Sequence, residues 1–344
     1  SKPLYDFFTY ASLYQPCAAM STRAAGAPFF AFTIVPARAE ARCTSLAEKG
    51  LLRSTTLAEQ KEEALDKLLA YGWEPESNLL HPSHYGLATT SITMTYSNAH
   101  GRFSVLDNLC GLSFAYTSAA GVPIAALPTL ATIFGTGNGV PPMAGISIVN
   151  NNNAIGGPLL ESASISPSTL RQDYNIDGAL CQRELLTANT PNASRVQLGV
   201  KQVQKSANLQ GKPAIIVHGR SDTLVPTNFS SRPYYAQNKV VEGASSQLSY
   251  IEVTNAQHFD AFIANPLIGY DTLFIPLHVY FNRALDAMYD HLTTGAALPP
   301  SQVVRTTPRG PGAPAITPAN VPPIKAAPGS DAILFDGTTL TIPD

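Results

Sequence analysis

The sequence predicts an α/β protein whose C-terminal part carries a mostly parallel sheet, and three observations lead there. The run Pro213-Ala-Ile-Ile-Val-His-Gly-Arg-Ser-Asp222-Thr-Leu-Val-Pro226 reads as a buried strand ending in a loop that presents an acid. The run Leu248-Ser-Tyr-Ile-Glu-Val253 reads as a second strand, and the loop after it presents His258. Beyond that loop, Leu277, Phe281, Leu285, Met288 and Leu292 recur at helical spacing, with Pro276 near the start of the stripe and Gly295 just past its end. The connection between the two strands is long enough for another helix. Strand, helix, strand, helix is the order of a parallel sheet with helices packed on it.

The upstream elements read differently. Thr56 and Glu59 form a capping box, and Leu65, Leu68 and Leu69 follow on one face before Gly72 stops the helix. Thr44 to Leu52 reads as another short helix. From His81 to Thr169 the chain is rich in Gly, Pro, Asn and Ala, and the stretches Phe134 to Pro142 and Asn150 to Asn153 are loop signals. Residues 1–190 are therefore expected to be mostly helical and irregular. In a hydrolase that is the character of a lid inserted before the acid strand, and an independent small domain is the alternative. Pro191 suits a first helical position, and Val196, Val200, Val203 and Ala207 trace a stripe after it. Residues 191–297 are then the C-terminal part of a sheet core carrying the acid and histidine loops. Residues 298–344 read as a Pro-rich extended tail, with Asp331 to Pro343 patterned as a short hairpin or edge strand.

Composition narrows the class. Of 344 residues, 44% are apolar, enough for a core, and only 13% are charged, against roughly 25% in soluble proteins. The net charge of -2 gives no reason to expect nucleic acid as a partner. No run of about 18 apolar residues occurs, so no membrane span is expected. Cys17, Cys43, Cys110 and Cys181 lack zinc-type spacing, so neither a metal nor another cofactor is expected. An even cysteine count with low charge fits two disulfides in a secreted or periplasmic protein. Cys17 to Cys43 is the more local pairing, four buried thiols are the alternative, and spacing alone does not fix connectivity.

An acid and then a histidine, each at the C-terminal end of a strand, are the last two members of a Ser-Asp-His triad on an α/β-hydrolase-type sheet. An imidazole can take a serine proton near neutral pH, and the acid holds the ring's tautomer and stabilises the imidazolium. Asp222 and His258 fill these roles. A turn-forming or capping role is the bland reading of Asp222, and a solvated loop position that of His258. The nucleophile belongs upstream on a Gly-x-Ser-x-Gly turn, and the sequence contains none. Ser113 in Gly-Leu-Ser-Phe-Ala and Ser147 in Gly-Ile-Ser-Ile-Val come nearest, but each lacks the final glycine. Among the rivals, His218 is expected to brace the acid loop, and Asp260 is a fallback acid. His81, His84, His100, His278 and His291 are expected in solvated or packing roles. Tyr234 and Tyr235 are expected either to line a pocket or to pack.

These segments resemble the 3-hydroxybutyrate oligomer hydrolase family. The resemblance rests on Pro3 to Cys17, Arg102 to Gly111, His218 to Pro226 and Asn255 to Phe262, and it covers nearly the whole chain. The first two stretches are the specific ones, since the last two occur in many α/β hydrolases. The resemblance implies a serine-type ester hydrolase cleaving short (R)-3-hydroxybutyrate oligomers to monomers, with Asp222 and His258 as its acid and base. Family members are about twice this length and carry the serine in the upstream half. The implied partners are thus a small ester substrate and an N-terminal half of the same precursor. The competing readings are a broader carboxylesterase, polyester depolymerase or peptidase of the same fold, and a non-catalytic binding or structural subunit.

Overall fold

The capping box forms as the sequence indicates. Thr56 Oγ1 donates to Glu59 Oε2 at 2.7 Å and accepts from the Glu59 backbone N–H at 3.3 Å, which starts the helix Leu57–Tyr71. Ala64, Leu65 and Leu68 are its buried face. The structure, a computed structural model, describes residues 2–24, 34–104, 106–124, 145–264 and 269–344. The loop reading of Phe134 to Pro142 lies outside these residues.

Two units are distinguished by internal contacts. The first comprises Ser1–Tyr71 and Asn78–Gln204, the second Gly72–Ser77 and Lys205–Asp344. The first unit is built on helices α1 (Lys2–Ala18), α2 (Pro36–Glu48), α3 (Leu57–Tyr71), α4 (His81–His84), α5 (Thr90–Gly101), α6 (Ile176–Thr187) and α7 (Pro191–Gln202). The helix expected at Thr44 to Leu52 is displaced: α2 starts at Pro36, where a proline needs no intrahelical N–H partner, and ends at Glu48. Helix α7 begins at Pro191 and ends at Gln202, short of the full stripe, so Val203 is exposed.

A small antiparallel sheet also lies in this unit, with strands β1 (Leu112–Tyr116), β2 (Ile146–Asn150) and β3 (Leu159–Leu160) in that order. The Gly- and Asn-rich surroundings concealed it. Disulfides join Cys17 to Cys43 and Cys110 to Cys181. They fit an extracellular or periplasmic protein, because thiols stay reduced in the cytosol. Among the described residues no helix is long and apolar enough to cross a membrane.

The second unit holds the parallel sheet. Strands β4 (Ala214–Gly219), β5 (Leu248–Val253) and β6 (Gln302–Val304) pair in that order, all parallel. Helix α8 (Ser231–Glu242) connects β4 to β5; the short α9 (Tyr270–Leu273) and the longer α10 (His278–Thr294) lie between β5 and β6. Strand β6 falls within the segment read as a surface tail, yet all three of its residues are buried. Its Gln-Val-Val is too short for an alternation pattern to reveal it. Strands β7 (Leu334–Phe335) and β8 (Leu340–Thr341) form the hairpin expected near the C-terminus.

Helix α10 forms where its stripe indicates, but another face is the buried one. Gly295 caps it in the left-handed region, as read, but the helix buries Tyr280 and Ala284. Phe281, Leu285 and Leu292 of the apolar stripe are exposed. An apolar stripe identifies a helix and cannot say which face finds a partner.

Candidate active site

The register of β4 and β5 places the two candidate residues together. Gly219 pairs with Val253 at the strand ends, so the loops that follow leave the same edge of the sheet. The loops are then laced by backbone bonds, Arg220 N–H to Val253 O at 2.8 Å and Ser221 N–H to Ala256 O at 2.9 Å. The lacing needs a glycine. A Cβ on Gly219 would stand 2.4 Å from the Ala256 carbonyl oxygen, closer than any side chain tolerates. Glu76, on the segment that joins this unit from earlier in the chain, ties both loops again. It accepts from Ser221 Oγ–H in the acid loop and from the Asn255 N–H in the histidine loop.

Asp222 and His258 meet across this edge. His258 Nδ1 and Asp222 Oδ2 are 2.9 Å apart. The Asp222 side chain is 5% exposed and that of His258 is 32% exposed, so the acid is sealed while the ring can be reached. Oδ1 of Asp222 accepts from the backbone N–H groups of Leu224 and Val225 at 2.9 and 2.8 Å. His218 Nε2 stands 3.3 Å from Oδ2. The His258 ring makes no further hydrogen bond to any described residue.

Electrostatics suits an ionised acid beside a basic ring. Burial alone would raise the Asp222 carboxyl, but His218 and His258 outweigh it and hold the group well below its ordinary 3.8. The hydrogen bond to Asp222 raises the His258 ring above its ordinary 6.5, with burial pulling the other way. A depressed acid contributes stability above its unfolded value and loses it as pH falls through the folded one. A raised histidine contributes stability below 6.5 and loses it as pH rises through its folded value. A general base works only when unprotonated. If His258 is that base, the acid limb of kcat/KM lies above 6.5, as a pH–rate profile would show.

The other candidates have structural partners. Asp260 accepts from the backbone N–H groups of Leu277 and His278 and pairs with the His278 ring at 2.6 Å, so it caps α10. Ser113 and Ser147 lie on β1 and β2, not on a strand-to-helix turn. Ser113 Oγ accepts from Asn151 Nδ2, and Ser147 Oγ bonds Thr117 Oγ1. His81 and His84 are buried against Gln15. Tyr235 packs in the core beside Tyr250, and Lys205 lies over the Tyr234 ring. Among the described residues no group of three or more His, Cys, Asp or Glu is placed to hold a metal ion.

Sequence reasoning missed the charged cluster behind the acid loop. Glu252 on β5 is fully buried. Its Oε1 accepts from Arg220 Nε and Arg232 Nη2, both at 2.6 Å, and its Oε2 from Arg232 Nε at 2.9 Å and Tyr250 Oη at 2.6 Å. Arg232 also reaches Glu74. The available signal was a glutamate inside a strand whose other residues all read as buried.

The 3HB-oligomer hydrolase family matches residues 1–344. A protein of Polaromonas naphthalenivorans (strain CJ2) named D-(-)-3-hydroxybutyrate oligomer hydrolase is 57% identical over 353 residues, covering 100% of this chain and 49% of that protein. Proteins of the same name from Azoarcus sp. (strain BH72) and Albidiferax ferrireducens are each 55% identical, covering 100% of this chain and 50% and 49% of their own lengths. The chain thus spans about half the length of the curated relatives it matches. No solved structure matches it. With the family matching from end to end and relatives above half identity, the chain belongs to the 3HB-oligomer hydrolase family.

Proposed function

We propose that this chain supplies the acid and the base of a serine-type ester hydrolase that cleaves (R)-3-hydroxybutyrate oligomers to monomers. The observation that carries the reading is the 2.9 Å contact between Asp222 and His258, made by loops at the same end of adjacent parallel strands. The names of the relatives supply the substrate class. In this reading the sheet is of the α/β-hydrolase type, residues 1–190 form its lid region, and the protein is exported. The nucleophilic serine comes from a segment outside these 344 residues. Among the described residues β4 pairs only with β5, so its other edge is free to accept a strand from such a segment.

The chemistry is acyl transfer. His258 Nε2 takes the serine proton as the oxygen attacks the ester carbonyl, and Asp222 stabilises the resulting imidazolium. The imidazolium gives that proton to the departing alkoxide oxygen as the tetrahedral intermediate collapses and the ester C–O bond breaks, releasing the alcohol product. Water activated by the same nitrogen then cleaves the acyl-enzyme. Backbone donors that stabilise the tetrahedral oxyanion belong to the nucleophile's turn in this scheme.

The test is to combine the chain with the remaining half of its precursor and supply hydroxybutyrate dimers and trimers. Hydrolysis is expected, and a fluorophosphonate probe is expected to label a serine outside these residues. A probe adduct on a serine of this chain, or cleavage of aryl esters without cleavage of the oligomers, would overturn the assignment.

A further inference from the structure

We propose that the first unit holds a ligand site of its own, a cavity in which the carboxyl of Glu161 hydrogen-bonds the acyl oxygen of a short hydroxyacyl compound. Every residue lining the cavity lies in that unit, whereas Asp222 and His258 belong to the other. The site follows from the cavity and its walls. Only the choice of hydroxybutyrate as probe rests on the function proposed above.

The cavity measures about 260 Å³. That is room for one small organic molecule, below the size of most drug-sized pockets. Ile146 and Ile148 of β2 and Leu160 of β3 give it an aliphatic wall, and Ser147 and Ser162 add hydroxyls.

Glu161 is the exceptional member of the lining. It is 7% exposed, yet its carboxyl makes no hydrogen bond to any described residue. A buried carboxyl without a hydrogen-bond partner costs stability, and native interiors rarely keep one. Arg42 does not supply the partner: its guanidinium donates to the backbone carbonyls of Ser12, Leu13, Asp173 and Tyr174. The Asp173 carboxylate is itself occupied by the hydroxyls of Ser45, Ser166 and Thr169. A carboxyl at a cavity wall with its hydrogen bonds unused is a group held ready for a ligand.

The backbone beside the cavity is unusual too. Tyr85–Thr89 form a single π-helical turn between α4 and α5, and all of it except Thr89 lines the cavity. Such turns give up the regular helical hydrogen bonds and recur at functional sites.

The chemistry of the walls selects the ligand. Burial raises the Glu161 carboxyl to about 8, with Arg42 pulling it down and Asp173 pushing it up. Burial also holds the Tyr85 and Tyr174 phenols above 10, so both are neutral. At neutral pH Glu161 is thus an uncharged acid that donates one proton and accepts in return. A neutral donor beside an aliphatic wall matches an acyl oxygen on a short aliphatic chain, and the serine hydroxyls match a hydroxyl on that chain. A free carboxylate and an ester carbonyl both offer such an oxygen. A cation would first have to ionise Glu161.

The test is an NMR titration of the 344-residue chain with sodium (R)-3-hydroxybutyrate and, separately, with its methyl ester. Saturable binding of at least one is expected at neutral pH, and which one binds tells whether a free acid or an ester is the ligand. Affinity should fall about tenfold between pH 7 and pH 9 as Glu161 loses its proton. Glu161→Gln keeps a donor and an acceptor of the same shape at every pH, so it is expected to bind as the parent does at neutral pH and to show no such fall. Glu161→Leu is expected to weaken binding about tenfold or more without lowering the melting temperature, since it removes a buried polar group that has no partner. No saturable binding of either compound overturns the proposal, as does undiminished binding by folded Glu161→Leu. A parent affinity that does not fall with pH, or falls equally in Glu161→Gln, overturns it too, and this comparison decides alone should Glu161→Leu not fold. Binding abolished by His258→Ala would put the ligand at the catalytic pair and overturn it likewise. These titrations involve no turnover, so their failure leaves the roles of Asp222 and His258 to be judged by activity.

Discussion

Replacing His258 with alanine in the hydrolysis-competent protein is expected to lower kcat for oligomer cleavage by about 10⁴-fold or more, with the melting temperature little changed. The ring is 32% exposed and its described polar contact is with Asp222, so its removal leaves no large cavity. Asp222→Asn is expected to lose about 10⁴-fold as well, for a sharper reason. Oδ1 of Asp222 accepts two backbone N–H groups, so the amide oxygen of an asparagine must take that place. Its NH₂ group then faces both His218 and His258. Nδ1 of His258 is forced to accept, its proton moves to Nε2, and the ring can no longer take a proton from a hydroxyl. Steady-state kinetics on hydroxybutyrate dimer reads both effects. Activity within tenfold of the parent for either variant would remove the assigned base or acid.

Arg232→Leu is expected to destabilise the second unit by about 3–5 kcal/mol, the usual penalty for orphaning one side of a buried ion pair. Glu252 has no exposed surface, and Arg232 supplies two of the four donors that satisfy it. Arg220 remains, but it reaches only Oε1. Glu74 loses its guanidinium in the same step. Replacing Glu252 and Arg232 together by leucine should cost less than the sum of the two single changes, because the pair then vanishes without leaving a charge behind. Denaturant unfolding of the four proteins in the cycle measures this. A loss below about 1 kcal/mol for Arg232→Leu would show that the cluster is solvated and weak.

Leu248–Val253 was visible because a run of β-formers is bounded by polar loops. Helix α3 was visible because its cap and its stop are both local chemistry. The antiparallel strands β1 and β2 were not, because their identity depends on each other: Ser113 opposes Val149 and Ala115 opposes Ser147 across a gap of some thirty residues. The same holds for β6, whose three residues become a strand only by pairing with β5.

The order of the acid and histidine loops, the capped start of α3 and the glycine end of α10 are properties of short stretches, and the sequence by itself determined them. Backbone preference and side-chain chemistry act over a few residues, so they can be read there. The side of α10 that is buried and the meeting of Arg220 and Arg232 on Glu252 were decided only by the tertiary structure. Those outcomes depend on which distant groups share a dry interior, where each buried charge must find a partner that no local pattern names.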